Sequence, residues 1–249
     1  MTGPNQSVSA LLSLVVGLAA CGGSGEASTS GIGTNVSPED RSVLIETTAC
    51  GDASKTTGSG VIVENDLVLT VAHVVIGADS VFVSGSDSRS VDSDERVTGA
   101  VVVLDTINDL ALVRVPTAPL VGSVDDIALA DFSGGDSATI HAARTPGVVP
   151  VEVLRRARIS VDEVRGPNVV EREGYELAGE IDGGDSGAGV FDHRGALGAI
   201  VFAEPSTPEA GDLRAFAVAV PPIDELSDGL EQSYSCDASM SRLIVDELR

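Results

Sequence analysis

The sequence has no tryptophan, two tyrosines, five phenylalanines and a single lysine, Lys55, in 249 residues. With so few aromatics, a core must come from small and branched aliphatics, and the 35 valines point to β-structure with a small-residue core. Bases are scarce as well: 15 Lys and Arg stand against 38 Asp and Glu, a formal net charge of −23. That balance argues against DNA, RNA or an anionic membrane surface as a partner, because each would repel the chain. No apolar run approaches the roughly 18 residues that a membrane-spanning helix needs. What remains is 43% apolar and 21% charged, which is no composition for disorder, and the length can bury a sizeable core in one large domain or two small ones.

The amino terminus reads as an address. Val8 to Ala20 is an uncharged apolar stretch of signal-peptide length, and Leu18-Ala19-Ala20-Cys21-Gly22-Gly23 resembles a bacterial lipobox. Residues 1–20 are thus expected to be a signal peptide and Cys21 a lipidated first residue, which makes the protein exported and membrane-anchored. Met1 to Ser7 carries no Lys or Arg, unlike the usual positive flank. Residues 21–40 are Gly-, Ser- and Thr-rich and read as a tether with a reach of about 25 Å. With Cys21 lipidated, Cys50 and Cys236 remain. They are expected to pair, closing a long loop for about 3–5 kcal/mol; two unrelated buried thiols are the alternative.

From Val43 the chain breaks into short apolar runs bounded by Gly, Asn, Asp and Ser, the pattern of an all-β sandwich or barrel. Strands are expected at 43–45, 61–63 (led in by Gly58-Ser59-Gly60), 67–70, 81–83, 100–104 and 110–115. Pro116 to Val124 then interrupts the series. A second set follows at 138–142, 148–154, 158–161, 169–170, 188–191, 197–202 and 214–220. The resulting organisation is an N-terminal unit over 41–115, a linker over 116–125, a second unit over 126–222, and a C-terminal segment over 223–249. Apolar residues at helical spacing in 223–230 and 240–248 predict a closing helix packed on the second unit.

Three motifs carry chemistry: Thr70-Val71-Ala72-His73, Asp109-Leu110-Ala111-Leu112, and Gly183-Gly184-Asp185-Ser186-Gly187. Each alone has a structural explanation, but together they supply what acyl transfer requires. A serine hydroxyl is a poor nucleophile without an adjacent base, and His73 is the candidate base for Ser186. The imidazole needs a buried acceptor on its other nitrogen, and Asp109 is the candidate. Glycines before the serine let the backbone turn so that the N–H groups of Gly184 and Ser186 form an oxyanion hole.

On these motifs the chain resembles the chymotrypsin-like (trypsin-like) serine peptidases, in particular the bacterial Deg/HtrA protease domain, over about residues 41–225. The motifs match T-A-A-H with Val71 for one alanine, D-[IL]-A-L, and G-D-S-G, in the family's order His, Asp, Ser. The resemblance implies an all-β fold of two six-stranded barrels with a short C-terminal helix, the site lying in the cleft between them. It also implies an acyl-enzyme mechanism on a protein or peptide substrate, without cofactor or metal. Ala188 stands where the family usually has a second glycine. No I-V-G-G-like activation segment precedes the body, and no PDZ-like module follows it in these 249 residues. The expectation is a monomer that is either active as built or controlled by something other than a freed amino terminus.

The resemblance places Glu180, six residues before Ser186, at the base of the primary specificity pocket, with Glu204 on its wall. Carboxylates there would favour Arg or Lys in the substrate. His141 and His193 have no second ligand at metal spacing, so no metal site is expected. Six arginines, Arg144, Arg155, Arg156, Arg158, Arg165 and Arg172, cluster within 29 residues. They are either a partner patch or, as composition favours, exposed strand faces paired with acids. Two competing functions stay open: a catalytically inactive trypsin-fold binding protein at the cell surface, and a chaperone-like quality-control factor.

Overall fold

Valine- and alanine-rich runs pair into twelve strands among the residues that the computed structural model describes, 36–49, 55–85, 96–144, 147–164, 166–203 and 213–229. A one-turn helix, α1 (Pro38–Arg41), leads into β1 (Ser42–Ala49), β2 (Lys55–Glu64) and β3 (Leu67–Thr70). A second single turn, α2 (Ala72–Val75), precedes β4 (Ala78–Gly85), β5 (Val97–Asp105) and β6 (Leu110–Arg114). These strands close an antiparallel barrel in the order β1-β2-β3-β6-β5-β4. After α3 (Ala118–Val121) come β7 (Ser137–His141), β8 (Val148–Asp162), β9 (Val169–Ala178), β10 (Gly189–Phe191), β11 (Leu197–Ala203) and β12 (Arg214–Ala219). They close a second barrel, β10-β11-β12-β9-β8-β7, and α4 (Ile223–Gly229) follows. Closure leaves neither sheet with an open edge.

The second half holds six strands where seven runs were expected. The runs at 148–154 and 158–161 are one 15-residue strand, β8. The short run at 169–170 opens the 10-residue β9. Arg155, Arg156 and Arg158 interrupt the apolar pattern but not the strand. They are exposed and pair across to β9 from both faces of the strand, Arg155 with Glu176 on one and Arg156 and Arg158 with Glu173 on the other. Cross-strand charge pairs of this kind support a ladder without contributing to a core.

Two buried clusters divide the interior. One fills the second barrel, with alanines at inward positions such as Ala138, Ala199, Ala215 and Ala217 and with Tyr175 as the large member. The Tyr175 hydroxyl donates to Asp131 at 2.7 Å and accepts from Phe132 N–H at 3.3 Å, so its burial costs no hydrogen bond. The other cluster fills the first barrel and runs on into the junction, taking in Phe191, Leu197, Ile200, Phe202 and Val218 from the second. Leu226 of α4 joins this cluster. The helix therefore joins the cluster that spans the junction, and none of its described residues belongs to the second barrel's own cluster. Only Val220 to Pro222 separate it from β12, which ends beside that junction.

The connection between the barrels is docked, and it runs on to β7 at Ser137, beyond the expected 116–125. Asp66 N–H donates to Thr117 Oγ1 at 3.0 Å, and Thr117 N–H donates back to Asp66 Oδ1 at 3.1 Å. Buried Arg41 donates to the Ile62 carbonyl at 3.0 Å and the Asp125 carbonyl at 2.7 Å. Burial pushes the Arg41 guanidinium down from its ordinary value, and Asp125 and Asp126 oppose that shift.

Residues 1–35, Cys50 and 230–249 lie outside the described residues. The expected signal peptide, Cys21, the Cys50–Cys236 pair and the helical spacing at 240–248 fall there.

Candidate active site

The first barrel presents His73 and Asp109. β3 ends at Thr70, and the following turn of α2 lifts His73 out of the sheet at the barrel's edge. Asp109 sits in the turn between β5 and β6 with a left-handed φ of 58°, an uncommon conformation for a non-glycine residue. That turn aims the carboxylate back at α2. Asp109 Oδ1 accepts the His73 backbone N–H at 2.8 Å, and Oδ2 faces His73 Nδ1 at 2.8 Å. The Asp109 carbonyl accepts Ala72 N–H at 3.1 Å. The ring is thus held in one orientation, with Nε2 left for chemistry. Asp109 is 2% exposed at its side chain and His73 34%, so the acceptor is dry and the imidazole open to the cleft.

The second barrel presents Ser186 on the loop between β9 and β10. Gly184 and Gly187 both take positive φ, 104° and 91°. Asp185, itself buried, closes the turn: its N–H donates to the Asp182 carbonyl at 3.0 Å, and its carboxylate accepts Asp182 N–H at 2.8 Å. Gly187 N–H donates to the Val201 carbonyl and Ala188 N–H to the Asp185 carbonyl, each at 2.8 Å. The N–H groups of Gly184 and Ser186 have no partner among the described residues, the condition an oxyanion hole requires.

Ser59 of β2 ties this loop to the first barrel. Its N–H donates to the Ser186 carbonyl at 2.7 Å. Its hydroxyl donates to the Gly184 carbonyl at 3.3 Å and accepts Ala143 N–H at 3.2 Å. Thr70 Oγ1 in turn donates to the Ser59 carbonyl at 2.7 Å. A Cβ at Gly58 would lie 2.7 Å from Val74 of the histidine turn and 2.9 Å from the Ser186 carbonyl, so the two halves of the site meet there. Ser186 Oγ and His73 form no hydrogen bond among the described residues.

Arg172 fits neither expectation for the arginine cluster, a partner patch or an exposed strand face: its side chain is 3% exposed and Nη1 stands 3.3 Å from Asp109 Oδ2. Only its register could have signalled this: it pairs with Ile159, on the part of the β8–β9 hairpin that packs against the first barrel's cluster. His73, Asp109, Arg172, Phe202, Val161 and Asp162 line an open cleft of about 470 Å³. Glu180 is exposed and lines none of the described cavities, and Glu204 lies outside the described residues.

A dry carboxylate, an oriented imidazole and a serine on a glycine-rich loop, gathered where two β-barrels meet, define the class: a chymotrypsin-type fold with the constituents of a serine hydrolase site. The chain belongs to the trypsin-like peptidase domain family, whose model matches residues 58–200. Serine protease Rv3671c of Mycobacterium tuberculosis is 28% identical over 155 residues, 58% of this chain and 35% of that protein. Putative serine protease HhoA of Synechocystis is 29% identical over 150 residues, 56% of this chain and 35% of that one. The chain thus spans about a third of the length of these curated relatives. The crystal structure of the Rv3671c protease in its active form superposes with a TM-score of 0.66 at 22% identity, over 80% of this chain and 85% of that one. This likeness establishes the two-barrel fold.

Proposed function

We propose that the protein is a serine endopeptidase in which Ser186 attacks a peptide carbonyl, His73 takes and returns the proton, and Asp109 fixes the imidazole. In the first step the Ser186 Oγ–C bond forms as the proton moves to His73 Nε2. The carbonyl oxygen becomes an oxyanion facing the Gly184 and Ser186 N–H groups. Collapse breaks the C–N bond, the amine leaves with the His73 proton, and water then hydrolyses the acyl-enzyme. The observation that carries this reading is the double contact of Asp109 with His73, through Nδ1 and the backbone N–H, at 2.8 Å each. The negative charge of Glu180 supports cleavage after Arg or Lys. The lipobox-like Leu18 to Cys21 supports export and anchoring through a lipid on Cys21.

The absence of a Ser186–His73 hydrogen bond favours a second reading, a trypsin-fold binding protein. Apo catalytic sites often close this contact only with substrate bound, so the geometry does not exclude activity. A fluorophosphonate probe on the purified chain separates the two. Labelling that disappears in Ser186→Ala is the expected result, and a folded chain that does not label would overturn the peptidase reading.

A further inference from the structure

Two arginines are buried among the described residues, and one of them, Arg172, reaches across the barrel junction into the site. It lies on β9 of the second barrel, opposite Ile159 of β8. Its Nε donates to the Ile107 carbonyl at 2.7 Å, and its Nη1 approaches Asp109 Oδ2 at 3.3 Å. The guanidinium lies over the Phe202 ring, 5.1 Å from its centroid. Nη2 is buried and has no partner among the described residues.

This arrangement is costly for a structural residue. Burial pushes the guanidinium down from its ordinary value, opposed by Asp109 and Asp105. The unpartnered Nη2 adds a desolvation cost that an apolar side chain would avoid. One other buried side-chain atom among the described residues, His141 Nδ1, lacks a partner, and such broken rules gather at functional sites. The two polar contacts fall on one feature, the turn that presents Asp109. Nε holds the turn's backbone at Ile107, and Nη1 holds the carboxylate oxygen that also faces His73 Nδ1. His73 and Asp109 belong to one barrel and Ser186 to the other, so catalysis depends on their mutual placement. Arg172 links Asp109 directly to the serine's barrel. The other charged groups facing this point are Asp105 from β5 and Asp162 from β8.

We propose that Arg172 is a positioning residue, locking the Asp109 turn and carboxylate from the second barrel and so holding His73 in register with Ser186. The proposal rests on the serine peptidase reading. It predicts a loss in kcat and not in KM, and a loss that vanishes once the Asp109 carboxylate is gone.

The test is a double-mutant cycle on the full chain, assayed with an activated ester so that slow variants stay measurable. Arg172→Met is expected to lower kcat about 100-fold with KM within about twofold. In the Asp109→Ala background the same change is expected to cost less than about threefold. An unimpaired Arg172→Met would overturn the proposal, as would an equal loss in both backgrounds, which marks a general scaffold residue. Should Arg172→Met fail to fold by circular dichroism, Arg172→Lys carries the cycle. Lys keeps the charge but lacks the rigid fork that presents separate Nε and Nη donors, and an expected tenfold loss, on the order of the milder disruption, must again vanish with Asp109→Ala. A loss persisting there refutes the proposal. A wild-type chain that neither labels with fluorophosphonate nor turns over overturns the peptidase reading itself, whereas active wild type with unimpaired Arg172→Met overturns only the role of Arg172.

Discussion

Gly187→Ala tests whether the serine loop is locked by backbone contact with the first barrel. Gly187 has φ 91°, which costs an alanine about 1–2 kcal/mol. The new methyl would collide with the Ser59 carbonyl and lie 2.6 Å from Thr70 Oγ1. Neither atom can yield cheaply. The Ser59 carbonyl is backbone of β2 and accepts from Thr70 at 2.7 Å, while Ser59 N–H holds the Ser186 carbonyl at 2.7 Å. Overpacking of this kind adds about 1–3 kcal/mol, so the total is about 2–5 kcal/mol of a stability on the order of 5–15. With a urea m-value of about 2–3 kcal/mol/M, the midpoint should fall by about 1–2 M. The chain has no tryptophan, so far-UV circular dichroism is the probe for unfolding. Fluorophosphonate labelling should slow by about 100-fold, because relieving the clash displaces Ser186. Gly183→Ala is the internal control. It lies on the same loop, a Cβ there meets nothing within 4 Å, and it should change stability by less than about 0.5 kcal/mol. If Gly187→Ala kept both the midpoint and the labelling rate of Gly183→Ala, the argument that the first barrel fixes the loop would be wrong.

Ser59→Ala removes the acceptor of Ala143 N–H and the donor to the Gly184 carbonyl, so a loss of about 1–3 kcal/mol and a slower labelling rate are expected. Labelling at the wild-type rate would show that the Gly184 peptide needs no such support. Glu176 gives a pH signature: the hydrogen bond from Arg214, aided by Arg155, holds its carboxyl below the ordinary range near 4.5, against burial. Because the folded value is the lower one, the stabilisation is complete above about pH 4.5 and is lost as pH falls through the folded value. Glu176→Gln should therefore flatten the acid limb of thermal stability below pH 4.5, and parallel limbs for the two proteins would count against the ion triad.

The motifs were legible because they are local. Thr70 to His73 is a strand end and one turn, and Gly183 to Gly187 carries its own conformational demand in its glycines. The six first-barrel strands were also legible as short apolar runs. The β8–β9 hairpin was not, because half of its residues face solvent and spend their side chains on cross-strand ion pairs. Arg155, Arg156 and Arg158 read as an interruption, whereas in space they are rungs of a ladder, each paired with an acid on β9. Arg172 differs from them only in tertiary context. Nothing in its neighbours, Glu171 and Glu173, distinguishes a buried arginine from an exposed one, since both flanking acids are themselves exposed. Ser59 was invisible for the same reason: a serine between two glycines reads as turn chemistry, and its partners Gly184 and Ala143 lie 125 and 84 residues away.

These two residues explain how a site split between barrels keeps its geometry. The apolar cluster that spans the junction sets the distance between the barrels but is non-directional, so it leaves the sliding of one past the other weakly specified. Directional contacts supply the rest at separate points. Ser59 fastens the backbone around Ser186 to the first barrel, and Arg172 fastens the turn of Asp109 to the second. A third contact, of Ser42 Oγ with the His141 carbonyl at 3.1 Å, joins β1 to β7, its one proton shared with the Pro38 carbonyl at 2.9 Å. The first two run in opposite senses, each barrel holding the other's catalytic element. A slide that relaxed one of them would therefore strain the other, and the placement of His73 against Ser186 follows from the pair together, not from either barrel alone.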